Sequence, residues 1–325
     1  MKHDYADMFV GEDTMIGIRR SLALMLTVTL LLLMLPTCDG ADQRPLVGVA
    51  WRSNQDSETF VAACRAIEAA GGKPVLLPQV LSADLTYEEG RLIDATNADG
   101  SLSDAAAKLV RCNTWQGSNA PSVMEGIAAV VFPGGEDISP SLFYNPEPVQ
   151  TQEGFSAERD VSDYLLMSYC LEQNIAILAI CRGMQLLSVV SGAEMIQDIP
   201  DAFEGLGVVY SYDHRNEPET PDAYQDFAFH DVMVVERDSL LYRLVGADVI
   251  RNAPSWHHQA VKSVAGTRLT VTGVTETSGV DIIEAVERQD KTFVLGIQFH
   301  PEIAVVRELD DTSLCYFTAI VEAAQ

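Results

Sequence analysis

Residues 175–192 read IAILAICRGMQLLSVVSG, and this segment predicts the central architecture of the chain. Its first six residues form a continuous apolar run with β-branched side chains, which is typical of a strand buried in a parallel sheet. Cys181 follows at once, and helical spacing begins there without a loop. Such a turn lifts one side chain above the edge of the sheet and brings Gly183 close to the neighbouring strand. The turn makes Cys181 a candidate reactive residue, whereas a cysteine taken alone is more often a buried structural residue.

The residues upstream of this segment add strands and helices in alternation. An apolar run at 45–51, a helical pattern at 57–72 and a second apolar run at 73–78 form a strand, helix and strand within about 30 residues. A third buried strand at 126–135 runs into a glycine turn, and an amphipathic helix covers 160–174. This order predicts an α/β fold with a doubly wound, mostly parallel sheet flanked by helices.

The remaining segments are less regular. Residues 82–121 are more polar, carry one helical patch and have no assigned role. After a polar stretch at 200–225, five segments of strand character and a final helix at 311–324 follow. No internal repeat is evident. We therefore expect a β-rich C-terminal part on the same domain.

Composition limits the classes of protein to which the chain can belong. It has 325 residues, of which 47% are hydrophobic and 21% charged, with a mean hydropathy of +0.08. These values describe a folded globular protein and exclude disorder as the main feature. The formal net charge is −26, and such a surface repels phosphate backbones. We therefore expect no nucleic-acid partner.

The N-terminus has the pattern of an export signal. Arg19 and Arg20 precede an apolar run at 22–35, which is shorter than the roughly 20 residues that a membrane-spanning helix needs. We therefore divide the chain into an N-terminal extension, 1–44, and one folded domain, 45–325. A buried N-terminal helix is the competing interpretation of the apolar run.

The residues after the apolar run suggest two ways of processing it. Residues 35–38 read LPTC and are similar to a bacterial lipoprotein box, with threonine where a smaller residue is usual, so Cys38 is a candidate for lipidation. Cleavage after Gly40 is the alternative. The expected location is therefore the periplasm, or the membrane through a lipid or the N-terminal segment, and the cytoplasm if the signal is not used.

A second segment supplies partners for the cysteine. Residues 296–302 read GIQFHPE, an apolar strand that ends in His300 and Glu302. Alternation along an extended chain places residues two apart on one side, so Glu302 can hold the His300 ring while the ring faces Cys181. The N-terminus of the following helix would favour a thiolate at Cys181. These residues predict a Cys-His-Glu triad, against the alternatives of a buried structural cysteine and a capped turn.

Five sequence blocks carry a resemblance to a known family. They are FPGGEDISP at 132–140 with Tyr144, ERD at 158–160, ICRGMQ at 180–185 with QDI at 197–199, SWHHQAV at 255–261, and GIQFHPE at 296–302. With these blocks the chain resembles the class I glutamine amidotransferase-like proteins, and most closely the gamma-glutamyl-gamma-aminobutyrate hydrolases. The resemblance extends from about residue 45 to the C-terminus and implies a flavodoxin-like sheet.

The resemblance implies cleavage of a gamma-glutamyl amide bond through a gamma-glutamyl thioester. Cys181 would be the nucleophile, His300 the base and then the acid, and Glu302 the group that orients His300. Backbone N–H groups would form the oxyanion hole. The residues implied for that hole are Gly134, Gly135 and Arg182.

The resemblance also implies residues that contact a small gamma-glutamyl substrate: Gln185, Ser255, Trp256, His257 and His258. Arg159 and Asp160 are expected to fix a loop, whereas His230 is ambiguous. The paired histidines would need further ligands at suitable spacing to bind zinc, and none is visible in the sequence. We therefore expect no metal and no cofactor.

Other functions remain open at this point. The same triad serves glutaminase subunits that deliver ammonia to a partner enzyme, and a binding protein can keep the fold without turnover. The chain departs from the family pattern at Ala179, Ser188 and residues 192–195, which leaves its substrate preference open and removes no triad member. A homodimer is possible because it is the commonest soluble assembly.

Overall fold

The strands and helices are given for residues 43–143, 154–216 and 226–325, which the computed structural model of the chain describes. The strands are β1 (Leu46–Val49), β2 (Lys73–Leu76), β3 (Thr86–Glu88), β4 (Arg91–Ile93), β5 (Ala129–Phe132), β6 (Ala176–Ile180), β7 (Glu194–Ile196), β8 (Ala228–Val234), β9 (Val249–Ser255), β10 (Ala260–Ser263), β11 (Thr270–Thr277), β12 (Val280–Glu287) and β13 (Val294–Ile297). The helices are α1 (Glu58–Ala69), α2 (Asp104–Asn113), α3 (Ala120–Val123), α4 (Ala157–Gln173), α5 (Arg182–Val190), α6 (Ile199–Leu206), α7 (Leu240–Val245), α8 (Pro301–Val306) and α9 (Leu314–Ala323).

The parallel half of the sheet has the order β2-β1-β5-β6-β13. Numbered along the chain, these five strands have the order 2-1-3-4-5, which is the doubly wound, flavodoxin-like arrangement. In such sheets ligands bind beyond the carboxyl ends of the strands. The predicted fold class is therefore confirmed, and the topology indicates where a site should lie.

The antiparallel half continues the same sheet through β12, β11, β8 and β9. Strand β10 pairs with β12 and with β7, so β10 and β7 form a short branch outside the linear order of strands. This half is the β-rich C-terminal part that the sequence predicts. It begins at β12, which pairs with β13 of the parallel half, and so lies directly beside the parallel strands.

Helices cover both faces of the parallel strands. In β5 the side chains of Ala129 and Val131 pack with those of α1 and α9, whereas Val130 and Phe132 pack with those of α2, α4 and α5. This alternation follows from the two-residue period of a strand buried on both faces. The result is a three-layer α/β/α core that holds the strand ends in place.

Several short elements differ from the sequence predictions. The polar stretch at 200–225 contains α6, which begins where the Asp198 side chain accepts a hydrogen bond from the Asp201 amide, 2.9 Å away. An N-cap aspartate and a proline in the first turn are helix-start signals, so this helix was predictable in principle. Helices α7 and α8 and strand β10 were also not predicted. Helix α4 begins at Ala157, three residues before the predicted start at 160.

Some predictions concern residues that the structure does not describe. The apolar run at 22–35, Cys38 and Tyr144 lie outside the described ranges, so the export signal and lipidation remain predictions. Residues Arg44–Gln325 form one compact unit. Within the described part of the chain, no helix is both long and apolar enough to cross a membrane.

Candidate active site

Three strands of the parallel sheet end at the same edge and deliver the candidate catalytic residues. Gly134 lies just beyond β5, Cys181 directly after β6 and His300 shortly after β13. A β carbon built on Gly134 would lie 2.9 Å from His300 Cε1 and 3.4 Å from Cys181 Cβ. The imidazole and the thiol side chain therefore both border this glycine, at the edge where the topology places ligands.

Cys181 occupies a strained turn between β6 and α5. Its φ and ψ angles are 52° and −109°, a backbone conformation that non-glycine residues rarely adopt. The Cys181 amide donates a hydrogen bond to the Ile297 carbonyl of β13 at 2.7 Å, which ties the turn to the neighbouring strand. The sulfur lies 3.8 Å from the Trp256 carbonyl. The predicted sharp turn is present, with Cys181 as the N-cap residue of α5.

Gly183 explains how the turn can lie so close to the sheet. A β carbon at this position would collide with the backbone carbonyl oxygen of Phe132 and lie 2.9 Å from Phe132 Cβ. Only glycine lets the first turn of α5 pack directly on β5. This is the close approach that the sequence predicts for Gly183.

His300 and Glu302 form a buried pair. His300 Nδ1 and Glu302 Oε1 are 2.6 Å apart, and His300 is 2% exposed. Burial lowers the pKa of the imidazole, but the charges of Glu302 and Cys181 outweigh it and raise that pKa to about 10. His300 Nε2 makes no hydrogen bond within the described residues.

The contact between His300 and Glu302 was expected, but the reason given for it was wrong. The expectation assumed an extended chain, whereas His300 is the N-cap residue of α8 and Glu302 lies in the first turn of that helix. Pro301 at the first helical position presets the turn through its fixed φ, and its missing N–H costs nothing there because that N–H would have had no helical partner. The helix start, rather than strand alternation, brings the carboxylate to the ring.

The glycine turn after β5 is held from behind by Arg159. Its Nη2 donates hydrogen bonds to the Pro133 carbonyl at 2.8 Å and the Gly134 carbonyl at 3.0 Å, and its Nη1 contacts Glu136. Two carbonyls held on one side leave the N–H groups of the turn on the other. Arg159 thus makes the loop-fixing contact that was expected of it, and the Asp160 carboxylate accepts a hydrogen bond from the Ser139 amide.

Arg182 has different roles for its side chain and its backbone. The guanidinium is fully buried and bonds to Asp160 and Asp163, each at 2.6 Å. It therefore points away from the cleft, and only the backbone N–H of Arg182, one residue after Cys181, is left for the role in an oxyanion hole that the sequence predicts. Burial raises the pKa of the neighbouring Glu136, but Arg159 and Arg52 hold it well below its usual range.

The candidate site is a cleft of about 340 Å³. Of the residues predicted to contact substrate, Gln185, Trp256, His257 and His258 line it. Ser255 does not: its buried hydroxyl donates a hydrogen bond to the His214 carbonyl at 2.9 Å. Ser255 ends β9 with its side chain facing inward, so the structure gives it a supporting contact in place of the predicted substrate contact.

Two residues that line the cleft use their polar atoms in contacts with other protein groups. The Gln185 amide nitrogen donates to the Gln259 carbonyl at 3.0 Å. His258 lies between two carboxylates, with Nδ1 3.0 Å from Asp198 and Nε2 3.0 Å from Asp137. Burial lowers the pKa of His258, but these two carboxylates raise it to about 9. A charged imidazolium therefore joins two loops at the wall of the cleft.

The charge on His258 predicts a pH-dependent stability difference. The pKa of His258 in the folded protein exceeds the usual 6.5. The charged ring therefore stabilises the folded state fully below about pH 6.5, and this stabilisation is lost as the pH rises through about 9. We expect His258→Gln to lower the free energy of unfolding by about 3 kcal/mol at pH 6 and much less at pH 10. Urea unfolding of both proteins at both pH values measures this, and a difference that does not change with pH would contradict it.

Sequence reasoning missed several lining residues. Arg52 follows the carboxyl end of β1 and pairs with Glu136 at 2.6 Å, while the Arg215 guanidinium lies 5.0 Å from the centre of the Trp256 ring. Phe227 packs edge-on against the His300 ring at 5.2 Å. The signal available for Arg52 was its place directly after a buried strand. Arg215 and Phe227 follow from tertiary structure alone.

The sequence showed no further metal ligands near the paired histidines because only the spacing of residues along the chain was considered. The His257 ring turns toward three other buried groups, His214, His230 and Glu284, and the candidate ligand atoms of all four lie within 4.8 Å of one another. These residues come from widely separated segments, which explains why no spacing revealed them. His257 is therefore both a lining residue of the cleft and a member of this histidine-glutamate cluster.

Comparison with known proteins identifies the family. Residues 103–302, which include Cys181, His300 and Glu302, match the Peptidase C26 family. The chain belongs to this family. It is 34% identical over 198 residues to Protein NtpR of Enterococcus hirae, a match that covers 61% of this chain and 76% of that protein.

Two further relatives have functional names. A putative glutamine amidotransferase of Mycobacterium tuberculosis is 33% identical over 202 residues, covering 62% of this chain and 57% of that protein. The gamma-glutamyl-gamma-aminobutyrate hydrolase PuuD of Escherichia coli K12 is 31% identical over 189 residues, covering 56% and 68%. The predicted class I glutamine amidotransferase-like superfamily is confirmed, and the relatives support an amide-hydrolysing enzyme.

Proposed function

We propose that this Peptidase C26 member hydrolyses gamma-glutamyl amide bonds of small conjugates and releases glutamate and an amine. The proposal rests on one observation: Cys181 lies on a strained turn inside a cleft, beside the buried His300–Glu302 pair. A nucleophile, a base and a group that orients the base are the parts that acyl transfer through a covalent intermediate needs. The hydrolase relative in Escherichia coli supports the gamma-glutamyl group as the acyl part.

The proposed reaction has two halves. Cys181 gives its thiol proton to His300, its sulfur bonds to the side-chain carbonyl carbon of the gamma-glutamyl group, and the C–N bond breaks as His300 passes that proton to the leaving amine. Water then attacks the thioester carbonyl with His300 as base, which frees glutamate and restores the thiol. Glu302 keeps the imidazole oriented and stabilises its charged form throughout.

The negative charge that develops on the carbonyl oxygen needs fixed donors. Arg159 holds the carbonyls of the 133–134 turn, and the first turn of α5 is fixed by its packing on β5. We assign the backbone N–H groups of Gly134, Gly135 and Arg182 to this oxyanion hole. Donors that are held before the reaction stabilise the transition state without reorganisation, which is worth several kcal/mol.

The cleft suits a small substrate that keeps a free glutamyl end. Such an end carries an ammonium and a carboxylate group, and the lining includes both anions, Glu136 and Asp137, and cations, Arg52 and Arg215. A volume of about 340 Å³ lies at the lower end of the range for small-molecule sites. Both features favour a conjugate with a small amine over a polymer.

A panel of gamma-glutamyl compounds tests the proposal. We expect the purified chain to release glutamate from gamma-glutamyl-gamma-aminobutyrate or another small conjugate, and to release far less from free glutamine, because glutamine offers no amine substituent to the cleft. Coupled detection of glutamate measures both. Release from glutamine alone would favour a glutaminase, and no release from any compound would favour a binding protein.

A further inference from the structure

Four buried side chains converge on one point behind the loop that carries Trp256 and His258. They are His214, His230 of β8, His257 and Glu284 of β12. Glu284 Oε1 lies 3.0 Å from His214 Nδ1, 3.4 Å from His257 Nε2 and 3.8 Å from His230 Nε2. His214 Nδ1 and His257 Nε2 are 3.2 Å apart.

The outer hydrogen bonds of two rings fix where their protons lie. His257 Nδ1 is 2.9 Å from the Gln259 carbonyl, which can only accept, so this nitrogen carries the hydrogen. His230 Nδ1 is 3.0 Å from the Thr275 hydroxyl, which donates its own hydrogen to the Asp231 carbonyl at 2.9 Å. Thr275 therefore accepts from His230. In both rings Nε2 is left with a lone pair that faces the cluster.

The third ring is oriented in the same way. His214 Nε2 is 2.8 Å from the Thr277 hydroxyl, whose hydrogen goes to the Asp213 carboxylate at 3.0 Å. Thr277 thus accepts from His214 Nε2, and the lone pair of His214 Nδ1 faces inward. Outer partners that hold the distal ring nitrogen and fix the tautomer are the usual surroundings of histidine ligands in metal sites.

Three lone pairs and one carboxylate therefore meet with no hydrogen between them. Within the described residues, His230 Nε2 and both Glu284 oxygens make no hydrogen bond, although all are buried. Buried acceptors without a donor destabilise the fold, and the lone pairs of His214 and His257 oppose each other at short distance. A cation at the centre would satisfy all four groups.

We propose that His214, His230, His257 and Glu284 bind one divalent transition-metal ion, with Zn²⁺ as the best fit. Imidazole nitrogen and carboxylate oxygen bind Zn²⁺ at about 2.0–2.2 Å, and a tetrahedron of that size has edges of about 3.3–3.6 Å. Four of the six ligand-to-ligand distances, 3.0 to 3.8 Å, bracket this edge, and all six lie within 4.8 Å. Four protein ligands leave no position open, so the site is structural.

The ion would fix one wall of the catalytic cleft. His257 lies between Trp256, whose carbonyl is 3.8 Å from the Cys181 sulfur, and His258, which lines the cleft. His214 holds the same loop through its carbonyl, which accepts from the His257 amide at 3.1 Å. The ion would join this loop to β8, β12 and the 214 segment. It takes no part in the proposed hydrolysis, so the failure of one proposal would leave the other unaffected.

Metal analysis of the purified full chain tests the site. After incubation with Zn²⁺ and gel filtration, we expect one zinc per chain by elemental mass spectrometry. Glu284→Gln and His230→Gln are expected to weaken Zn²⁺ binding by at least about 100-fold in competition with a chromophoric chelator, since even the loss of an outer-shell partner costs 10–100-fold.

Two control variants separate this site from other metal-binding groups. Cys181→Ala removes the only thiol among the described residues that line the cleft, and His258→Gln removes a buried histidine next to the cluster that is not part of it. Both are expected to keep one zinc per chain. Loss of zinc in Cys181→Ala, or unchanged affinity in the two cluster variants, would overturn the proposal.

A measurement on the unmodified chain keeps the test valid if the cluster variants do not fold. With Co²⁺ in place of Zn²⁺, we expect intense visible bands of a four-coordinate ion and no sulfur charge-transfer band, because the ligands are nitrogen and oxygen. Removal of the ion by a chelator is expected to lower Tm. A sulfur charge-transfer band, or an unmodified chain that retains no metal after gel filtration, would overturn the assignment.

Discussion

Cys181→Ala is expected to lower kcat for a gamma-glutamyl conjugate by at least about 10⁴-fold, because without the sulfur no thioester forms. The change keeps the β carbon and so leaves the strained turn and its contacts in place. The free energy of unfolding should therefore change little. Steady-state glutamate release and urea unfolding measure the two effects.

Cys170→Ala is the matched control for this variant. Cys170 is also a buried cysteine, but it lies within α4 and does not line the cleft. Its loss should cost some stability through the cavity left behind and leave kcat near that of the unmodified protein. Cys181→Ala with more than a few per cent of the activity, or an equal loss in Cys170→Ala, would contradict the nucleophile assignment.

The covalent intermediate provides a second measurement for the same prediction. Acid quenching during turnover, followed by digestion and mass spectrometry, should place a gamma-glutamyl adduct on the peptide that contains Cys181. The strained φ of 52° is the structural reason to look there, since such strain persists mainly at functional positions. An adduct on another cysteine would assign the chemistry elsewhere.

The parallel strands and the cysteine turn were predictable because their signals are local. Strand β6 is a continuous apolar run, and Cys181 follows it with helical spacing and no loop. Gly183 is required by the contact with β5, and its position two residues after the cysteine is visible in the sequence. Each of these features depends on residues close together in the chain.

The parts that were missed depend on distant contacts or on very short elements. Helices α7 and α8 have six residues each, too few for an apolar stripe to repeat. The cluster of His214, His230, His257 and Glu284 comes from four separate segments, namely strands β8 and β12 and two loops. Ser255 belongs to a motif that lines the cleft, yet its side chain turns inward. No local pattern distinguishes it from Trp256.

Gly183→Ala is expected to have the largest effect on stability, at about 3 kcal/mol or more. The added methyl group would collide with the Phe132 carbonyl oxygen and approach Phe132 Cβ at 2.9 Å. Both atoms belong to the centre of the sheet and cannot move aside as a flexible side chain would, so α5 must shift. Urea unfolding measures the change.

Gly205→Ala is the control with the opposite expected sign. Gly205 lies in α6, and a β carbon there would meet nothing within 4 Å. Alanine in place of glycine within a helix should raise the free energy of unfolding by about 0.5–1 kcal/mol. Equal effects of the two substitutions would show that the packing of α5 on β5 is not what requires glycine.

The contact at Gly183 also links the fold to the proposed chemistry. Phe132 ends β5 just before the Gly134–Gly135 turn, and Gly183 follows Arg182 directly. One contact therefore sets the distance between the two halves of the proposed oxyanion hole. A shift of α5 of about 1 Å can cost 100-fold in rate. Any Gly183→Ala protein that folds should thus lose kcat with little change in KM, whereas a raised KM at unchanged kcat would separate this contact from transition-state stabilisation.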